Sequence, residues 1–77
     1  MTEQFRTDNL EIAAFICARL GARWARTERH GRVFFYFDSP ETAKSLRDDY
    51  LDGGQVSGQD FVEWRNKANQ VIHADRD

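Results

Sequence analysis

Val33-Phe34-Phe35-Tyr36-Phe37 decides the fold of this chain. Five consecutive β-branched and aromatic residues between polar flanks are too few for a helix and read as one strand. Side chains alternate across a strand, so Val33, Phe35 and Phe37 point one way and Phe34 and Tyr36 the other. Both faces are therefore apolar, and each asks for cover. Upstream the period is again two, with Trp24 and Arg26 on one side and Arg23, Ala25 and Thr27 on the other. Glu28-Arg29-His30-Gly31 supplies the turn between the runs, with Gly31 at the position that needs a positive φ. The expectation is an antiparallel hairpin of strands 22–28 and 32–38.

Outside the hairpin the period changes to that of helices. Asp8 stands three residues before Glu11 in a capping-box arrangement, with Thr7 as a competing cap. Leu10, Ala13, Ala14, Ile16, Cys17 and Leu20 then share a face, and Gly21 follows as a left-handed stop. Ile12 and Phe15 lie off that stripe, so helix 9–20 is expected to be covered from two directions. Ser39-Pro40-Glu41 starts a second helix, with Ser39 as cap, Pro40 at the first position and an acid in the first turn. Ala43, Leu46, Tyr50 and Leu51 form its stripe, which ends at Gly53-Gly54. Ser57 and Asp60 open a third helix, on which Phe61, Trp64, Ala68, Val71 and Ile72 keep helical spacing and Val56 is placed to staple onto Phe61.

The reading is thus a single small α+β domain over 1–77, ordered over about 5–74 with a frayed tail at 75–77. Its elements run α-β-β-α-α at about 9–20, 22–28, 32–38, 40–51 and 58–74: a two-stranded hairpin packed against three helices. The expected core is Leu10, Ile16, Leu20, Phe35, Phe37, Leu46, Tyr50, Phe61, Trp64, Val71 and Ile72. A chain of 77 residues supports one modest core, and its ten aromatic residues suit that need.

Thr7-Asp8-Asn9-Leu10 with Ala13-Ala14, Gly21, the Val33–Asp38 strand, Tyr50 followed by Asp52-Gly53-Gly54 and Val56, and the closing Val62, Trp64 and Lys67 form a recognisable series. Over about residues 5–73 it resembles a family of uncharacterised short domains of bacteria and their phages. The resemblance implies a fold and a phage or prophage setting, and brings no catalytic residues with it.

Composition narrows the function further. Cys17 is the single cysteine, so an intrachain disulfide and a Cys-based zinc set are both excluded. The apolar-leaning stretch Ile12–Cys17 falls far short of the roughly 18 residues of a membrane span. Met1-Thr2-Glu3-Gln4 lacks the basic start of a secretory signal, and the expected compartment is the cytoplasm. His30 and His73 have no ligand partners at metal spacing, and Asp75 and Asp77 near His73 fall in the tail. Asp48, Asp49, Asp52 and Asp60 do not match a calcium loop and read as a solvated face. No phosphate-cradling glycine loop or nucleophile elbow occurs. The expectation is a protein without enzymatic activity, cofactor or metal.

Two features remain. Phe34 and Tyr36 occupy the strand's second face, which three helices need not cover, and this suggests a patch for an unknown protein partner or a homodimer. Arg19, Arg23, Arg26, Arg29 and Arg32, with His30 among them and Trp24 beside them, place five arginines in fourteen residues. They suggest phosphate contact along a hairpin with a stacking surface. The net charge of −2 argues against a generally basic coat, although residues 1–37 carry +2 and 38–77 carry −4. An interaction or self-association module is the first expectation, and a nucleic-acid-binding accessory with an Arg-rich hairpin is the alternative.

Overall fold

The computed structural model describes residues 4–74. The fold is α+β, and the element order is β1 (Phe5–Thr7), α1 (Leu10–Leu20), β2 (Arg26–His30), β3 (Arg32–Phe37), α2 (Pro40–Leu51) and α3 (Gly58–Ala74). The three strands form an antiparallel sheet in the order β1-β3-β2. The aromatic strand is therefore central. The sequence pattern anticipates the helices and the hairpin, and the structure adds β1, which pairs Phe5 with Phe37, Arg6 with Tyr36 and Thr7 with Phe35.

The hairpin is tighter and later than its alternation suggests. Pairing runs from Arg26 opposite Tyr36 to His30 opposite Arg32, so Gly31 alone makes the bend, and its φ of 77° is one that L side chains rarely adopt. Residues 22–25 are loop, although Ala25 N–H still donates to the Tyr36 carbonyl at 2.7 Å. They leave the sheet because α1 stops at Gly21, in the left-handed conformation, and the chain must turn before it can pair.

Helix α1 is the spine of the molecule. It packs against α3 on one side and α2 on the other, and Ile12 to Cys17 are all buried. The stripe of Ile12, Ala13, Ile16 and Cys17 meets the inward sheet face of Phe5, Val33, Phe35 and Phe37, together with Trp24, Ala43 and Ala68. Phe15, off that stripe, packs against Tyr50 of α2 with ring centroids 5.2 Å apart. Leu10, Leu46, Tyr50, Trp64, Val71 and Ile72 complete the core from its margin. Leu20 does not join it: as the last residue of α1 it is 40% exposed. Phe61 is half-buried and also stands outside the cluster, because it lies in the first turn of α3, away from the crossing with α1 near Ala68.

Helix starts differ from expectation by small displacements. Asn9, rather than Asp8 or Thr7, caps α1: its Oδ1 accepts from the Glu11 and Ile12 N–H groups at 2.9 and 3.0 Å. Ser39 occupies the cap position of α2, yet its hydroxyl makes no capping bond. The proposed fraying of 75–77, and the leader reading of Met1 to Glu3, concern residues outside those described.

Candidate functional site

Strand parity assigns each side chain of the sheet to a face. Residues opposite one another share a face, so the register puts Phe5, Thr7, Thr27, Arg29, Val33, Phe35 and Phe37 inward, toward the helices. Arg6, Arg26, Glu28, His30, Arg32, Phe34 and Tyr36 point outward. The helices gather on the inward face, so this outward surface is built from the sheet's own side chains.

Arginines cover its aromatic rings. The Arg6 guanidinium lies 4.9 Å from the centre of the Phe34 ring, and that of Arg26 lies 3.9 Å from the centre of Tyr36. His30 flanks Phe34 at 6.4 Å between centroids. A guanidinium over an aromatic face is attracted by the ring quadrupole and directs its N–H groups to acceptors at the ring's edge. Phe34 stays half-buried, whereas Tyr36 falls to 8% exposure beneath Arg26. The sequence leaves open whether these two residues are core or interface. The structure makes them neither packed core nor bare patch, but rings roofed by cations.

Glu28 is the one acidic residue of the three strands, and it ties the surface together. Its carboxylate accepts from the Tyr36 hydroxyl at 3.2 Å, from His30 Nε2 at 2.9 Å and from the Arg26 guanidinium. His30 and then Arg26 hold the Glu28 carboxyl down to about 2. Arg26 Nε also donates to Gln4 Oε1 at 3.1 Å. At the opposite end Arg32 donates to Asp8 Oδ2 at 2.5 Å, which lowers the Asp8 pKa and raises that of Arg32.

The other basic residues of the sequence series go elsewhere. Arg19, on α1, lies over Phe15 and pairs with Asp49 of α2 at 2.8 Å. Arg23 lies over Trp24 in the α1–β2 loop. Arg29 faces inward, and its Nη2 donates to the Ile72 carbonyl near the end of α3. Trp24 is not a surface platform: it is 9% exposed and packs edge-on against Phe35 and Trp64, at 4.9 and 6.3 Å. Of the seven basic or aromatic positions proposed for nucleic acid, only Arg26, His30 and Arg32 share the outward face. Arg6, which sequence reasoning missed, joins them through β1.

The remaining chemistry is quiet. Cys17 is fully buried, and desolvation pushes its thiol up to about 12. Among the described residues no group of three or more His, Cys, Asp or Glu is arranged to hold a metal ion, and no helix is long and apolar enough to cross a membrane. A cavity of about 270 Å³ opens beside Leu20, Arg23, Phe37 and Ser39, lined by the α1–β2 loop and the β3–α2 connection. No protein-family model, curated protein or solved structure matches the chain.

Proposed function

We propose that this chain is a non-catalytic binding module that takes single-stranded nucleic acid on the outward face of its sheet. One observation carries the reading: Phe34 and Tyr36 of the central strand share that face with Arg6, Arg26 and Arg32. The sequence presents aromatics and arginines as two separate features, and strand parity merges them. Unpaired bases stack on aromatic rings and guanidinium planes alike, while phosphates take the outward N–H groups. A duplex hides its base faces and offers such a surface its backbone and groove edges, with nothing to stack on the rings.

Phe34, part-exposed near the middle of the face, also supports a second reading, the docking of a protein. Face-to-face pairing with a second copy would set Arg6, Arg26 and Arg32 against their own kind, and like charges at a contact oppose association. A protein partner would therefore be acidic. A bacterial or phage setting and a cytoplasmic location belong to the same proposal, carried by the family resemblance and by the composition.

The test is a backbone-amide NMR titration with oligothymidylate and with a duplex of equal length, at low and then moderate salt. Amides of Arg6, Arg26, Phe34 and Tyr36 should shift with the single strand first. Stacking is worth about 1–3 kcal/mol per base, so Phe34→Ala should weaken binding by about tenfold. Arg6→Ala should reduce the salt slope by about one. Shifts confined to the Leu20–Phe37 cavity, or no shifts with either oligonucleotide, would remove the reading.

A further inference from the structure

We infer that Glu28 is an internal occupant of an anion site on the outward face, and that an incoming phosphate must displace it. The inference rests on the nucleic-acid reading and adds the place where phosphate is held and the group that guards it. Three donors of different chemistry, from two strands, converge on one carboxylate: the Arg26 guanidinium and His30 Nε2 from β2, and the Tyr36 hydroxyl from β3. Such a planar fork, ring N–H and hydroxyl form a donor set that matches a phosphate oxygen group as well as a carboxylate.

The placement also fits. Glu28 stands opposite Phe34 across the strands and its carboxylate accepts from the Tyr36 hydroxyl, so the residue neighbours both the ring that Arg6 covers and the ring that Arg26 covers. A strand with one base on Phe34 and the next on the Arg26 guanidinium above Tyr36 would pass its linking phosphate near that point. Glu28, Arg26 and His30 have side chains 39, 46 and 64% exposed, so the exchange requires no opening of the core. Internal neutralisation also limits non-specific attraction of polyanions, because the site's own carboxylate must first be outcompeted.

Two titrations test this, each with the wild type, Glu28→Gln and Glu28→Ala, after thermal melts establish that the variants fold. In the first, inorganic phosphate is added while the Arg26 Nε and His30 ring signals are followed by NMR. Both variants should respond at lower phosphate than the wild type. In the second, anisotropy of labelled oligothymidylate should show both variants binding about two- to fivefold more tightly, the scale of one released surface ion pair. If phosphate responds as expected and oligothymidylate does not bind, the anion site stands and the nucleic-acid reading falls. If oligothymidylate binds all three proteins equally, the reading stands and the role of Glu28 is overturned. Weaker binding by both variants would make Glu28 a supporting residue of the face and also overturn the inference.

Discussion

Asn9 and Ser39 hold the same position on two helices and do different work. Asn9 satisfies two N–H groups of the first turn of α1, whereas Ser39 satisfies none with its side chain. Thermal or urea unfolding should therefore show Asn9→Ala losing about 1 kcal/mol, while Ser39→Ala, which lacks a bond to remove, loses only a few tenths. Equal losses would mean that both caps act through backbone conformation alone. The sequence shows that a cap is present but leaves its identity among Thr7, Asp8 and Asn9 open, because each is an acceptor and a one-residue shift in helix start decides the matter. Glu28 gives this scale its pH dependence. Its folded pKa is depressed, so its contribution to stability is complete above the unfolded value near 4.5 and disappears as pH falls toward about 2. Acid unfolding of Glu28→Gln should lose that part of the slope in this window, and an unchanged slope would show that the carboxylate is as solvated folded as unfolded.

At the scale of elements, β1 is the piece that pattern reading omits. Phe5-Arg6-Thr7 is three residues long, below the length at which alternation can be recognised, and it forms only because β3 offers a free edge and an apolar partner in Phe37. The helices and the hairpin were visible because each spans several periods of its own repeat. β2 starts later than the alternation suggests because Arg23 to Ala25 alternate as a strand would, while the chain must first turn after the stop at Gly21. Phe5 is 7% exposed, and truncating such a ring costs about 3–5 kcal/mol. A domain of this size has little more than that in total. Phe5→Ala should thus melt below or near ambient temperature, and hydrogen exchange should show loss of protection along β3 first. Retention of full protection there would mean that the hairpin and helices stand without the third strand.

Across the whole molecule the dimensions are 36 × 35 × 19 Å, a flat body with helices on one broad side and the sheet on the other. The candidate surface was legible only in parts. Arginines at spacings of three along a hairpin fall alternately on its two faces, so Arg26 and Arg32 emerge outward while Arg29 turns in to α3. Arg6 reaches the face from a strand distant in sequence, a juxtaposition that no local spacing encodes. Cys17 has a consequence for measuring any of this. Sealed between α1 and the sheet with its proton firmly held, the thiol becomes reachable only when those layers part. Iodoacetamide should alkylate it more slowly than in urea by a factor on the order of hundreds to thousands, the unfolded fraction expected of so small a core. Labelling at the urea rate in native buffer would show that the layers separate far more often than their packing implies. The lone sulfur is thus a built-in clock, read by mass spectrometry, that counts how often the protein comes apart.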